Sequence, residues 1–190
     1  MKIAIDIEPI ARDHAGIGHY IQNLLTSLAQ IDQVNSYVLY AKEDPRLDLP
    51  ANFEIKIVRS SGPWWHLNVL RDAKKRGVEI YHSTHSFQIP ALSWGIKTVL
   101  TVHDLGSWTH PQWHSRKVIL LGKLLPLAIH RSQVILVPTK SIRDEIQAKF
   151  TRTGKIFVTP EGVGSEYSPG GVKVPGQIAF VGTLEPRKNL

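Results

Sequence analysis

The chain contains no cysteine. That excludes disulfide bonds and thiolate chemistry and fits a reducing compartment. No apolar run reaches the ~18 residues that a membrane-spanning helix needs. The N-terminus opens directly on an alternating stretch, Met1-Lys2-Ile3-Ala4-Ile5-Asp6-Ile7, without the apolar core of a signal peptide. There is no repeat of solenoid period and no low-complexity segment. No Gly-x-Ser-x-Gly elbow supports a serine hydrolase, and no His-Glu-x-x-His helix supports a metalloprotease. Zinc-finger spacing and the aromatic strand of an RNA-binding module are also missing.

What is present describes an ordinary globular protein. The 190 residues are 42% hydrophobic and 21% charged, enough for one good core and about one domain. The net charge is +7. A basic surface attracts nucleic acid, anionic lipid or phosphorylated substrates, and charge alone does not choose among them.

Hydrophobic patterning predicts strands at Met1–Ile7, Ser36–Ala41, Phe53–Val58, Val78–His82, Thr98–Val102, Val134–Val137 and Ile156–Thr159. Ile17, Tyr20, Ile21, Leu24, Leu25 and Leu28 form one apolar helical face. Further helices are expected at Leu67–Lys75, ending at Gly77, and at Ser141–Phe150, capped by Thr139 or Ser141. Ser115–Arg131 reads as a long helix with a kink or break at Pro126. Glu8–His14, Lys42–Asn52 and Ser60–Trp65 read as loops.

Strands that alternate with helices, without polar alternation along the strands, imply an α/β, Rossmann-like, doubly wound parallel sheet with both faces covered. The expected organisation is a domain over 1–161, a Gly/Pro/Ser-rich linker over 162–176, and over 177–190 the opening of a second α/β domain. In that opening, Ile178–Val181 reads as a strand leading to the adjacent cations Arg187 and Lys188, which suit an anionic phosphate.

Doubly wound sheets bind ligands beyond the C-terminal ends of their strands, so the loops there are the places to search. Gly16-Ile17-Gly18 stands at a helix N-terminus after the first strand. It suits either close approach to an anion or a plain turn, since the third Gly of a dinucleotide fingerprint is absent. His103-Asp104 follows the strand Thr98–Val102. It reads either as a polar ligand site or as a turn-capping Asp beside a hydrogen-bonded core His. His82, His85 and His103 lack a carboxylate at a supporting spacing, so metal binding is a minor alternative. Residues 115–131 combine Arg116, Lys117, Lys123, His130 and Arg131 with apolar residues. That pattern fits an anionic membrane surface or a core helix with a solvated basic face. Trp64-Trp65 reads as an interfacial anchor or as packing.

Taken in order, the segments Ile5-Asp6 with Gly16-Ile17-Gly18-His19-Tyr20, Tyr81-His82-Ser83-Thr84-His85, Thr101-Val102-His103-Asp104-Leu105, Val137-Pro138-Thr139-Lys140-Ser141, Pro160-Glu161-Gly162-Val163 and Phe180-Val181-Gly182-Thr183-Leu184-Glu185-Pro186-Arg187-Lys188-Asn189 resemble the N-terminal half of a family 4, GT-B fold, retaining glycosyltransferase. The resemblance implies two Rossmann-like domains across a cleft, the first binding mainly the acceptor and the second, truncated here, a nucleotide sugar. It implies transfer with retention and without metal or other cofactor. His103 would be catalytic, against the donor sugar. Gly16, Arg187 and Lys188 would hold the donor diphosphate. Gly18, Tyr20, His85, Asp104 and Ser141 are candidates for acceptor or sugar contacts. Fixed cations and helix amides stabilise a departing diphosphate as its charge develops.

The implied partners are a nucleotide sugar and a glycan or lipid-linked acceptor, with no nucleic acid. The implied location is cytoplasmic, with candidate peripheral membrane contact through 115–131. The chain alone is expected to have little or no transferase activity. Two competing readings are another GT-B nucleotide-sugar enzyme, such as an epimerase, and a non-enzymatic basic module binding nucleic acid or membrane.

Overall fold

A computed structural model describes residues 1–12, 16–151, 154–164, 167–168, 170 and 174–182. Its elements follow in the order β1 (Lys2–Asp6), α1 (Glu8–Arg12), α2 (Gly16–Ile31), β2 (Ser36–Ala41), β3 (Phe53–Ile57), α3 (Gly62–Lys75), β4 (Ile80–Ser83), α4 (Gln88–Leu92), β5 (Lys97–Thr101), α5 (Gly106–Thr109), α6 (Arg116–Gly122), α7 (Leu125–Arg131), β6 (Val134–Val137), α8 (Lys140–Lys149) and β7 (Lys155–Val158), with a 3-10 turn at Pro111–Trp113. The strands form one seven-stranded sheet in the order β3-β2-β1-β4-β5-β6-β7. Every pairing is parallel. The winding reverses between β1 and β4, where Ile5 lies opposite His82. Crevices at such reversals are where these sheets bind ligands.

Both faces are covered, which explains why the strands read as apolar runs. Successive strand residues point to opposite faces. On β1 and β2, Ile5, Tyr37, Leu39 and Ala41 cluster with Ile21 and Leu25 of α2. Their neighbours Ala4, Val38 and Tyr40 cluster instead with Trp65, Val69 and Ala73 of α3. Ile21 and Leu25 are 0% and 1% exposed, and burying such side chains contributes about 1.5–3 kcal/mol each. A third cluster joins Leu100, Val102, Ile135 and Val137 to Ala128 and Ile129 of α7 and Ile146 of α8.

The punctuation behaves largely as its chemistry requires. Gly77 adopts φ 69°, and α3 closes with Gly77 N–H donating to Lys74 O at 3.1 Å and Val78 N–H donating to Ala73 O at 3.0 Å. Only a residue comfortable in the left-handed region ends a helix this way. Thr139 caps α8, its side chain accepting from Ile142 N–H. The helix expected over 115–131 is broken into α6 and α7, with Pro126 in the first turn of α7, where its missing N–H costs nothing.

Three expectations need correction. Glu8–His14 is not wholly a loop, since Glu8–Arg12 forms α1, with Pro9 in its first turn. The loop expected at Ser60–Trp65 ends at Ser61: α3 starts at Gly62, with Pro63 at its start. Trp64 and Trp65 therefore lie on a helix, and Trp65 is packed in the core at 2% exposure. Ile178–Val181 is not a strand. Ile178 and Val181 are 99% and 97% exposed, and no strand among the described residues pairs with the segment. A strand exists only beside a hydrogen-bonded neighbour, which local sequence cannot supply. The short helices α4 and α5 give no periodic signal and were not anticipated.

Candidate functional site

The reversal point carries a buried polar network centred on Asp6, the last residue of β1. Asp6 is 0% exposed. Its Oδ1 accepts from Thr84 N–H at 2.8 Å and from the Thr84 hydroxyl. Its Oδ2 accepts from Ser83 Oγ at 3.0 Å and from Ser86 Oγ at 3.3 Å. His85 Nδ1 stands 3.5 Å from Oδ1, at ion-pair distance. Burial alone would raise the Asp6 pKa. The adjacent His85 and the Thr84 bonds outweigh it and hold the group at about 2. For His85 burial pulls downward, and Asp6 reverses that and raises it.

A second group lies one strand further on. His82 Nε2 is 2.8 Å from Thr101 Oγ1, and burial lowers the His82 pKa to about 4, keeping the ring neutral. The Thr101 hydroxyl also lies 3.3 Å from Tyr20 OH, tying the first turns of α2 to the end of β5. The Tyr20 ring meets His103 edge-on, with centroids 4.8 Å apart at 83°. His103 follows β5 and is anchored on both nitrogens: Nε2 is 2.9 Å from Thr84 O, and Nδ1 is 2.7 Å from Glu161 Oε1. One array thus runs from Asp6 through Thr84 to His103, with Tyr20 along its side.

The structure gathers His85, Tyr20 and His103 of the sequence candidates into this array. Gly16 opens α2 and is exposed, and a Cβ placed there would meet open space. The fold itself does not require glycine at that position, and a close-approaching ligand would. Gly18 is buried in the same turn. Asp104 is exposed and accepts from Gly106 N–H at 2.8 Å, which is the turn-capping arrangement. Ser141 lies exposed in the first turn of α8, and no hydrogen bond among the described residues joins it to His103. Arg187 and Lys188 lie outside the described residues. Among the described residues no group of three or more His, Asp and Glu side chains is arranged to hold a metal ion.

Sequence reasoning gave no role to Asp6, Thr84, Thr101 or Glu161. Each stands at or just after the C-terminal end of a strand. A polar residue closing an apolar strand run was the available signal.

Three comparisons bear on this geometry. Residues 14–167 match Glycosyltransferase Family 4. Over the whole chain the sequence is 24% identical to an O-antigen chain mannosyltransferase B of Escherichia coli, and it spans 58% of that relative's length. The fold resembles a sucrose-phosphate synthase from Thermosynechococcus elongatus with a TM-score of 0.63 at 11% identity, covering 84% of this chain and 48% of that one. It also resembles a UGT transferase from Siraitia grosvenorii solved with UDP, with a TM-score of 0.53 at 11% identity, covering 90% and 49%. The matched residues include Tyr20, Thr84, His103 and Glu161 of this array, and the chain belongs to Glycosyltransferase Family 4.

Proposed function

We propose that this chain is the acceptor-side half of an enzyme that moves a sugar from a nucleotide-sugar donor to a hydroxyl acceptor, a glycan or lipid-linked saccharide, with retention and without a metal. The observation that carries the reading is His103, fixed at the end of β5 between Thr84 O and Glu161 and beside Tyr20 of α2. In transfer the bond between the anomeric carbon and the phosphate oxygen breaks, and the diphosphate leaves with the electron pair. The acceptor oxygen bonds to the same face of the sugar, and its proton passes to the departing phosphate. His103 beside the reacting centre helps to stabilise the charge that gathers on the leaving group. Gly16 leaves room for that diphosphate to reach the amides of α2. Arg187 and Lys188 would add cations, as a reaction without metal requires. Gly18, Tyr20, His85, Asp104 and Ser141 are the candidates for acceptor or sugar contacts.

The division into 1–161, a linker over 162–176 and a donor-side portion from 177 is part of the same reading, and so is little activity for this chain alone. The name of the Escherichia coli relative makes a mannosyl donor the first to try. Cytoplasmic work at an anionic membrane face also fits. Leu120 is 65% exposed, Trp113 49% and Trp108 41%. Arg116, Lys117 and Lys123 are exposed in the same segment. Apolar side chains among cations suit an anionic lipid surface. No helix among the described residues is long and apolar enough to cross a membrane.

The test uses the whole gene product with a panel of nucleotide sugars, with and without EDTA, for native protein and His103→Ala. EDTA-resistant turnover of one donor that collapses in His103→Ala is the expected result. No turnover of any donor, with nucleotide-sugar binding the same in His103→Ala, would remove the transferase reading. Loss with EDTA would remove its metal independence.

A further inference from the structure

We infer that Glu161 is a positioning residue that holds His103 as a doubly protonated, cationic ring; its catalytic meaning rests on the transfer reading above. The geometry sets the protons. Nε2 lies 2.9 Å from the carbonyl oxygen of Thr84 and Nδ1 lies 2.7 Å from a carboxylate oxygen of Glu161. A carbonyl oxygen only accepts, so Nε2 carries a hydrogen. An ionised carboxylate also only accepts, so the second contact requires a hydrogen on Nδ1. Without it two lone pairs would face each other. With it the pair is a charge-assisted hydrogen bond.

The two anchors differ in kind. Thr84 is fully buried, and both its N–H and its hydroxyl are bound to Asp6, so the carbonyl behind His103 is fixed. The Glu161 side chain is 42% exposed. It stands two residues past Thr159, whose N–H donates to Val137 O at 2.8 Å as β7 leaves the sheet. The front anchor can therefore be exchanged and the rear one cannot. Among the described residues the nearby titratable side chains are engaged elsewhere, and His85 is paired with Asp6. Tyr20 meets the His103 ring edge-on, His82 is kept neutral by burial, Asp6 lies behind Thr84, and Asp104 turns its carboxylate to Gly106 N–H. Glu161 thus keeps the ring charged and oriented until a ligand oxygen takes Nδ1–H.

The test labels the histidines of the whole gene product with 15N and compares native protein with Glu161→Gln and Glu161→Asp at one fixed pH near neutrality. The His103 signals are assigned by their loss in His103→Gln. Native His103 is expected to show two protonated nitrogens, and Glu161→Gln to lose the one on Nδ1. With the best donor, kcat in Glu161→Gln should fall roughly tenfold with the donor KM changed by less than about twofold, and Glu161→Asp should recover most of both readouts. Identical His103 signals in native protein and Glu161→Gln would overturn the pairing. Changed signals with unchanged kcat would overturn the positioning role. Absence of any transfer by native protein would sink the transfer reading alone, and the nitrogen spectra would still decide the pairing.

Discussion

Two regions of this molecule break the ordinary distribution of side chains in opposite directions. The junction of β1 and β4 buries polar groups: Asp6, Ser83 and Thr84 are each 0% exposed. The segment from α5 to α6 exposes apolar ones, with Leu120 at 65% and Trp113 at 49%. In the first region each oxygen of Asp6 has partners. In the second, large apolar surface faces water. The contrast teaches that the two departures have different origins. The buried network bonds both oxygens of Asp6 and fixes geometry, so breaking it damages the fold. The exposed face is only partly packed, with Trp113 stacked on His110 and Trp108 tilted against Phe150, so changing an exposed side chain such as Leu120 should leave the fold intact and show in what the protein touches.

The sharpest way to break the comparison is Asp6→Ala. It strips the acceptor from the buried Thr84 N–H and Ser86 hydroxyl, while the Ser83 and Thr84 hydroxyls keep Ser86 O and Asp6 O, each at 2.7 Å. Removing one side of such a network costs about 3–5 kcal/mol. The expected result is a large fall in the denaturation midpoint, read by chemical unfolding. A midpoint within error of native would show that the network is not a structural element.

A pH series separates the members of the network. The folded pKa of His85 is raised above 6.5. Its stabilisation is fully present below 6.5 and is lost as pH rises through that raised value. The folded pKa of His82 is depressed from 6.5 to about 4. Its stabilisation is present above 6.5 and is lost as pH falls through about 4. At ~1.36 kcal/mol per unit, that acid limb amounts to about 3 kcal/mol. Asp6 adds a further loss between 3.8 and about 2. Stability should therefore peak near pH 6.5. His82→Gln should flatten the limb from 6.5 to 4, and His85→Gln the alkaline limb. Two unaltered limbs in those variants would sink the assignment.

These partnerships show where sequence reading runs out. The seven strands were visible as apolar runs, and α2 as a periodic face. The break near Pro126, which falls at Lys123–Leu124 with Pro126 in the first turn of α7, followed from its missing N–H. The short helix α1, the true start of α3 and the unpaired state of Ile178–Val181 were not visible, since each depends on neighbours that local pattern does not name. Thr84 donates to Asp6 across 78 residues, and His103 meets Glu161 across 58. His103, Tyr20 and His85 could be picked out as polar residues in loops or helix starts at strand ends. Asp6 and Glu161 stood in the same kind of position, and only folding shows what they hold.

Tyr20→Phe tests the border of the buried region with a smaller effect. Its hydroxyl is 3.3 Å from Thr101 Oγ1, a long contact, and Thr101 keeps His82 as a partner. The aromatic ring against His103 is retained. Stability should fall by about 0.5–1 kcal/mol at most, as for one replaceable hydrogen bond. A loss as large as that of Asp6→Ala would mean that the Tyr20 hydroxyl belongs to the rigid network, and the boundary drawn between the two would move.

The smallest expected change in stability is at the opposite pole, in Leu120→Glu. The side chain is 65% exposed, and the flanking Lys117 and Lys123 are exposed as well. A substitution there should move unfolding by no more than about 0.5 kcal/mol. Binding to vesicles rich in anionic lipid is a different matter. Leu120 would lose its apolar contribution, and a carboxylate would enter a basic patch, so partition should weaken by roughly tenfold or more. Co-sedimentation with anionic and with neutral vesicles, run beside a denaturation curve, reads both quantities on one preparation. Loss of vesicle binding at constant stability would assign the exposed face to a lipid surface. A stability loss without any change in vesicle binding would make Leu120 a packing residue, and the contrast between the two regions would collapse into a single structural account.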